Sequence, residues 1–161
     1  MKKIVLIRHA KSSWEYSVTD HQRPLSSRGF NDAELISKVL KNANFNIDLL
    51  ISSDALRAKT TADIFVKELD INTKKVCLNS DLYDFSGSNL VRIIKTCTDS
   101  VKTLMIFGHN NAITNFVNNY GDSYIDNVPT CGVTVLNFNI NAWNDLKKGV
   151  TVKTLFPRDL K

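Results

Sequence analysis

The sequence predicts an α/β fold in which a mostly parallel central sheet is flanked by helices. Short apolar runs rich in β-branched residues alternate along the chain with segments whose apolar residues recur every three or four positions. This alternation is typical of βα units, which build parallel sheets. The chain has 161 residues, 43% of them hydrophobic, and it contains no break in composition, internal repeat or low-complexity linker. We therefore expect one domain that spans residues 1–161 and buries one substantial core.

The apolar runs place the strands. Four strands are predicted at residues 3–8, 48–52, 75–79 and 103–107. Two later runs, at residues 132–140 and 150–157, are expected to complete the sheet. In the first of these, Val133, Val135 and Asn137 share one face, as the period of two in a strand requires.

Four segments between the strands have helical periodicity. Segments 28–43 and 54–69 each carry an apolar stripe whose members are three or four positions apart along most of its length, as in an amphipathic helix. The stripes consist of Ala33, Ile36, Val39 and Leu40 in the first segment and of Ala58, Ala62, Phe65 and Leu69 in the second. Two further helices are predicted at residues 88–97 and 110–119.

Polar residues mark the start of the first two helices. Pro24 biases Arg23 away from the helical region of backbone conformation, so the chain should stay extended there. The serines before Arg28 can cap the first helix, and Ser52 or Ser53 can cap the second.

The composition narrows the classes of partner and cofactor. The net charge of +5 suits an anionic substrate or an acidic partner protein. A nucleic-acid partner is not expected, because the chain has no arginine-rich run, aromatic ladder or zinc-knuckle spacing and that interpretation would rest on charge alone. Cys77, Cys97 and Cys131 are widely spaced and form no CxxC pair. We expect reduced structural thiols, with neither a disulfide nor a zinc site.

No segment has the pattern of a membrane anchor or of a complete signal peptide. The longest apolar runs are far shorter than the roughly 20 residues that a membrane helix needs. The N-terminal Met-Lys-Lys and the apolar residues after it mimic the start of a signal peptide. Arg8, however, ends the apolar region before it reaches the necessary length of about 7 to 15 residues. We expect a cytoplasmic protein without membrane contact.

Charged side chains follow three of the predicted strands. Arg8 and His9 follow the first strand, Arg57 lies in SSDALRA after the second, and His109 lies in FGHNN after the fourth. The carboxyl ends of strands are where open α/β sheets gather their ligands. A guanidinium group can bond two phosphate oxygens at once, and a helix N-terminus favours an anion. The pattern therefore predicts a phosphate pocket.

Each of these residues, taken singly, has a simpler interpretation. Arg8 alone would be a surface salt-bridge partner, and His9 alone would be a satisfied turn residue. An Arg-His pair after one strand, together with a Gly-His after another, is a constellation that surface charge seldom produces. His21, by contrast, lies in a polar turn with no apolar frame, and we expect it to be solvated.

The segments RHAKSSW, RPLSSRG, SSDALRAKTTA and FGHNN together resemble the histidine phosphatase superfamily. Ala10 stands where the Arg-His-Gly signature of that superfamily has its glycine, a change seen in the branch that this chain most resembles, the SixA-type phosphohistidine phosphatases. The segments LYDFSGSNLVRII, DNVPTCGVTVLNF and FPRDL extend the resemblance to the end of the chain. The resemblance implies a three-layer sandwich, the phosphoglycerate mutase-like fold.

The resemblance also implies roles for the residues at the strand ends. His9 is the expected nucleophile, and Arg8, Arg57 and His109 are expected to bind the phosphoryl oxygens, with Ser13 as a further substrate-binding residue. An imidazole with its ordinary pKa near 6.5 has a free lone pair at neutral pH, and the positive groups offset the charge of the phosphate. Water then hydrolyses the phosphohistidine, and this scheme requires no metal and no other cofactor.

The general acid has three candidates. Asp20 occupies a position where the SixA-type branch also carries an aspartate, and we expect it to be the acid, although a turn or capping role is an equal alternative. Asp81 and Asp84 lie in the region where many superfamily members have a glutamate. A phosphohistidine needs a strong acid less than an alkyl phosphate does, because imidazole leaves readily once its other nitrogen is protonated.

Three functions are consistent with these residues. The first is a protein phosphohistidine phosphatase, favoured because the chain between Thr61 and Gly108 leaves no room for a large lid over the site. The second is a phosphatase for a small phosphorylated metabolite, built on the same site. The third is a non-catalytic module that binds phosphorylated or nucleic-acid partners.

Overall fold

The computed structural model describes residues 1–161 and contains one six-stranded sheet with helices on both faces. The strands are β1 (Lys2–Arg8), β2 (Leu49–Ser52), β3 (Val76–Leu78), β4 (Thr103–Gly108), β5 (Val133–Phe138) and β6 (Val150–Leu155). The helices are α1 (Ser27–Lys41), α2 (Leu56–Glu68), α3 (Ser88–Lys95) and α4 (Ala112–Tyr120). Every one of these elements lies where the sequence predicts it, with small differences at the ends.

The sheet has the strand order β3-β2-β4-β1-β5-β6. The first four strands in this order are parallel, whereas β5 is antiparallel to both β1 and β6. The prediction of a mostly parallel sheet is therefore confirmed. The chain passes from β1 to β2 and then returns to insert β4 between them, so the carboxyl ends of β1 and β4 lie side by side, with Arg8 opposite Gly108.

Alternate residues of β1 face two separate apolar cores. Ile4 and Leu6 pack into the core that includes buried residues of α3 and α4. Val5 and Ile7 face the opposite side, where α1 and α2 supply the buried side chains. Successive side chains of a strand point to opposite faces, so an unbroken apolar run is what a sheet covered on both faces requires. The three-layer sandwich implied by the resemblance is confirmed.

The chain before α1 is arranged as its sequence predicts. Arg23 has an extended backbone, with φ −66° and ψ 126°, ahead of Pro24. Ser26 caps α1, because its Oγ accepts a hydrogen bond of 3.1 Å from the backbone N–H of Gly29. Gly29 packs so closely that a Cβ atom there would lie 2.1 Å from the Lys11 carbonyl oxygen. A side chain at this position would push α1 away from the loop that follows β1.

The start of α2 differs from the prediction. The helix begins at Leu56 with Ala55 as its N-cap, and no side chain makes a capping hydrogen bond, so the expectation that Ser52 or Ser53 caps it is wrong. Ser53 Oγ instead accepts a hydrogen bond of 3.2 Å from the backbone N–H of Ala55, just before the helix. Arg57 is therefore the second residue of α2.

The three cysteines are free and differ in their surroundings. Cys131 is buried, Cys97 is half-buried and Cys77 is exposed on β3. Burial raises the pKa of Cys131 well above its ordinary value, which makes this thiol unreactive. None of the helices is both long enough and apolar enough to cross a lipid bilayer.

Candidate active site

His9 and His109 lie side by side at the carboxyl edge of the sheet. Because Arg8 pairs with Gly108 in the β1–β4 ladder, the residue that follows each strand falls beside the other. The backbone N–H of His9 extends the ladder with a bond of 3.1 Å to the Gly108 carbonyl. The two ring centroids are 5.2 Å apart, and the residues are only 7% and 1% exposed. The parallel ladder thus brings together two histidines that are far apart in sequence.

The hydrogen bonds of His9 place its ring proton on Nδ1. This atom lies 2.7 Å from the carbonyl oxygen of Ala10, which can only accept, so Nδ1 is the donor. Nε2 therefore keeps its lone pair, and Arg57 Nε donates to it at 3.3 Å. Burial lowers the pKa of His9 to about 3, because it outweighs the opposing effect of the Ala10 hydrogen bond and is reinforced by the nearby positive groups. The imidazole is neutral at physiological pH.

The backbone behind His9 is held by Thr61 of α2. Thr61 Oγ1 accepts a hydrogen bond of 3.0 Å from the backbone N–H of Ala10 and donates one of 2.7 Å to the Arg57 carbonyl. Thr61 is fully buried. One hydroxyl group therefore ties the residue after His9 to the helix turn that carries Arg57.

Ser53 orients the ring of His109. Its Oγ lies 2.8 Å from His109 Nε2 and accepts the N–H of Ala55. Because the buried hydroxyl hydrogen has no other acceptor within reach, the Ser53 O–H donates to His109 Nε2. The ring proton of His109 is then on Nδ1, a buried atom that has no hydrogen-bond partner in the protein. Burial and the charge of Arg57 lower the pKa of His109 to about 3. An unpaired buried N–H is rare, and the residue that carries this one lines the cavity.

Two arginines bring positive charge to the histidines. Arg8 Nη1 donates to the Val128 carbonyl at 2.9 Å, while its buried Nε atom has no partner. Burial and the charge of Arg57 lower the pKa of Arg8. Both arginines line the same cavity. Arg57 is 3% exposed. Both of its terminal nitrogens contact Asp20, at 2.6 Å from the backbone oxygen and 3.0 Å from the carboxylate.

The carboxylate of Asp20 accepts hydrogen bonds from three side chains. Its Oδ2 atom accepts from the Tyr83 hydroxyl and from Arg57, and its Oδ1 atom accepts from Arg23 Nη1 at 3.0 Å. The Tyr83 hydrogen bond and the two arginines hold the pKa of Asp20 far below its ordinary value. Asp20 is therefore ionised at neutral pH and has no proton to give. These contacts favour a role in holding the arginines rather than the acid role that the sequence led us to expect.

The other two candidate acids make structural contacts. Asp84 accepts hydrogen bonds of 3.1 Å from the backbone N–H groups of Gly87 and Leu90, which ties the first turn of α3. Burial raises the pKa of Asp84, but the hydrogen bonds outweigh it and hold the value below normal. Asp81 pairs with Arg92 on the surface at 2.9 Å. Neither carboxylate lines the cavity that contains the two histidines.

Ser12, not Ser13, lines this cavity. Ser13 Oγ accepts the backbone N–H of Glu15, and the Ser13 carbonyl accepts Arg23 Nε at 3.3 Å. Ser12 Oγ accepts a hydrogen bond from Arg23 Nη2. Arg23 itself is 8% exposed and lines the cavity, although its sequence neighbourhood predicts only an extended conformation before proline. Its place in the RPLSSRG segment was the signal that could have identified it.

His21 is partly exposed to solvent, as the sequence predicts, but it also has partners that the sequence does not predict. Its Nε2 lies 2.9 Å from Asp54 Oδ1, and its ring meets Tyr83 edge-on with centroids 5.1 Å apart. Its side chain is 41% exposed. The His21–Asp54 pair joins the turn that carries Asp20 to the loop before α2. The sequence did not predict these contacts because the partners of His21 come from distant segments of the chain.

The cavity at the carboxyl edge has a volume of about 290 Å³. Arg8, His9, Arg57 and His109 all line it, with Asp20 and Arg23. Lys11 also lines the cavity and adds a further positive charge. The two hydrophobic residues that line the cavity are Trp14 and Phe85. No group of three or more histidine, cysteine, aspartate or glutamate side chains is arranged to hold a metal ion. The arrangement can bind a tetrahedral anion and present a neutral imidazole nitrogen to it.

Comparisons with known proteins identify the family of this chain. The histidine phosphatase superfamily (branch 1) is the family whose model matches the chain, over residues 4–87. An uncharacterized chloroplastic protein of Arabidopsis thaliana is 29% identical over 153 residues, which cover 89% of this chain. The chain spans 70% of the length of that protein and 62% of two curated mycobacterial relatives.

Solved structures share the whole fold. A SixA protein from Agrobacterium tumefaciens superposes with a TM-score of 0.80 at 23% identity, covering 96% of this chain and 97% of that one. The protein histidine phosphatase SixA complexed with tungstate also gives a TM-score of 0.80, at 17% identity and 99% coverage of both chains. At these identities the likeness establishes the fold.

Proposed function

Because this chain belongs to the histidine phosphatase superfamily (branch 1), we propose that it is a phosphatase that removes phosphoryl groups from phosphohistidine on another protein, through an intermediate on its own His9. One observation carries the proposal. The neutral Nε2 of His9 accepts a hydrogen bond from Arg57, the ring of His109 lies beside that of His9, and all three residues line a cavity that Arg8 also lines.

The first step transfers the phosphoryl group to His9. The lone pair of Nε2 attacks phosphorus, a new P–N bond forms, and the bond from phosphorus to the substrate nitrogen breaks. Arg57 Nε, which donates to Nε2 in the free enzyme, is then able to donate to a phosphoryl oxygen. Arg8, Arg57 and the Nδ1–H of His109 balance the charge that spreads over the phosphoryl oxygens, so catalysis comes from alignment and fixed positive donors.

The second step is hydrolysis. Water attacks the phosphoryl group on His9, the P–Nε2 bond breaks, and inorganic phosphate leaves with the imidazole restored to neutrality. We expect water to reach this group, because the cavity is lined by Trp14, which is 75% exposed, and the chain between α2 and α3 forms only β3 and two short 3₁₀ helices rather than a large lid. An open site favours hydrolysis over transfer to a second substrate.

The ionised state of Asp20 supports a nitrogen-linked phosphate as the substrate. An alkyl phosphate needs a proton on its leaving oxygen, whereas a phosphohistidine leaves as neutral imidazole when its other nitrogen already carries a proton. No protonated carboxylic acid lines the cavity, since Asp20 is its only carboxylate and the pKa of Asp20 is strongly lowered. SixA, which shares this fold, is a protein histidine phosphatase, and this likeness supports the same class of substrate.

The test traps the intermediate and compares substrates. Incubation with a ³²P-labelled phosphohistidine protein, followed by rapid alkaline quench and peptide mapping, should recover acid-labile phosphate on His9. His9→Ala should abolish both the adduct and hydrolysis, while His21→Gln, a histidine outside the cavity lining, should keep the adduct. Binding of the phosphoprotein without any turnover by the wild-type protein would support a non-catalytic module. Faster turnover of phosphorylated metabolites than of the phosphohistidine protein would support a metabolite phosphatase instead.

A further inference from the structure

Two large aromatic side chains are exposed where the cavity meets solvent. Trp14 is 75% exposed and Phe85 is 47% exposed, and both line the cavity. Large aromatic side chains normally gain stability from burial, so exposed ones beside a polar site suggest a binding role. The phosphate chemistry proposed above uses neither of them.

Both aromatic rings are held in place by neighbouring side chains. The guanidinium carbon of Arg23 lies 3.2 Å from the centroid of the Trp14 ring. Arg23 is itself fixed by its hydrogen bonds to Ser12 and Asp20. One face of the indole is thus covered, and its high exposure indicates that the other face is free.

Phe85 is held beside His109. Its ring centroid lies 5.3 Å from that of His109 and 5.1 Å from that of Tyr83. Nearly half of its surface stays exposed. Trp14 and Phe85 are therefore two ordered aromatic surfaces, one anchored to Arg23 and one to His109.

The geometry of phosphoryl transfer places the leaving group near these two rings. The attacking and leaving atoms lie roughly in line on opposite sides of phosphorus. His9, the attacking residue, is 7% exposed at the buried end of the cavity. The leaving group must then lie toward solvent, where Trp14 and Phe85 are the apolar lining residues.

We propose that Trp14 and Phe85 bracket the leaving ring of the substrate and select phosphoryl groups carried on a planar ring, such as the imidazole of phosphohistidine, over those carried on a flexible alkyl chain. This inference rests on the proposed function, of which it names the specificity-determining residues. A planar ring stacks on an indole or meets a phenyl edge favourably, whereas the side chain of phosphoserine offers no such surface.

The test uses three peptides of one sequence that carry phosphohistidine, phosphotyrosine or phosphoserine. Trp14→Ala and Phe85→Ala should each lower the ratio of kcat/KM for phosphohistidine over phosphoserine by about three- to tenfold, the size of one aromatic contact. Trp14→Phe should retain most of the ratio. Tyr16→Ala is the matched control, because Tyr16 is exposed in the same loop and does not line the cavity.

If the kcat/KM ratio for phosphohistidine over phosphoserine were unchanged in both alanine variants, the proposed role of Trp14 and Phe85 would be overturned. This holds whether the activities of the variants fall equally on all peptides or do not fall at all. A wild-type enzyme that leaves the phosphohistidine peptide intact would contradict the proposed function. In that case, the ratio of kcat/KM for phosphotyrosine over phosphoserine tests the proposed role of Trp14 and Phe85 independently. A fall of that ratio in the alanine variants would uphold selection of a planar ring, and no fall would reject it.

Discussion

Lowering the pH should destabilise this protein through its two buried histidines. His9 and His109 have pKa values of about 3 in the folded chain, mainly because burial disfavours the charged imidazolium. In the unfolded chain both should titrate near the ordinary value of about 6.5. Since the folded pKa is the lower one, the unfolded state binds more protons as the pH falls below about 6.5. Stability is therefore complete above that pH and decreases toward pH 3.

The expected loss follows from these pKa values. Between pH 7.5 and pH 5.0, one histidine that takes up its proton only in the unfolded chain costs about 2 kcal/mol of unfolding free energy. The two together cost about 4 kcal/mol, a large fraction of the roughly 5–15 kcal/mol that stabilises a typical protein. Most carboxylates stay ionised down to about pH 5, so this interval reports mainly on histidine.

Urea unfolding followed by circular dichroism at the two pH values measures the effect. The buffers should be free of phosphate, because an anion bound to the native site adds stability of its own. The wild-type protein should lose about 4 kcal/mol and His109→Gln about 2 kcal/mol over the interval, while His9→Gln/His109→Gln should lose little. Equal losses in all three proteins would refute the assignment of two buried neutral histidines.

Three other substitutions test particular contacts. Thr61→Val leaves the buried N–H of Ala10 unpaired and should cost about 1–3 kcal/mol in urea unfolding. Thr61→Ser should cost less than Thr61→Val; equal losses would contradict this role of the hydroxyl. Asp20→Asn should lower kcat/KM by about tenfold on para-nitrophenyl phosphate, since a charge-assisted bond to Arg57 is lost. Para-nitrophenyl phosphate needs no general acid. If Asp20→Asn left the activity on this substrate unchanged and lowered only the activity on a phosphoserine peptide, Asp20 would be the general acid after all. Gly29→Ala should destabilise the fold by about 1–3 kcal/mol, because its Cβ meets the Lys11 carbonyl. A melting temperature equal to that of the wild type would contradict the clash.

The fold and the paired histidines were predictable because their signals are local. The apolar run of β1 identifies a strand buried on both faces, and Arg8 and His9 follow it directly. A parallel sheet brings the carboxyl ends of its strands to one edge, so His109 after β4 was expected at the same place. The helices were predictable from apolar residues at a period that only a helix brings to one face.

The parts that failed depend on contacts between distant segments. Ser53 was expected to cap α2, but its hydroxyl bonds His109, a residue 56 positions away. The lowered pKa of Asp20 depends most on the hydrogen bond from Tyr83, which is 63 positions away, and no local pattern indicates that hydrogen bond. The pairing of His21 with Asp54 has the same cause. Contacts between side chains from distant segments decide how the site residues are protonated and oriented. Local sequence patterns do not predict these contacts.

The insertion of β4 between β1 and β2 has a consequence for a chain that is still being synthesised. His9 leaves the ribosome about 100 residues before His109, which corresponds to a delay of about 5–20 s at ordinary rates of translation. Until β4 emerges, β1 and β2 have no native strand between them, and His9, the proposed nucleophile, has no second imidazole beside it. A nascent chain therefore cannot assemble the proposed site until β4 has emerged and paired with β1.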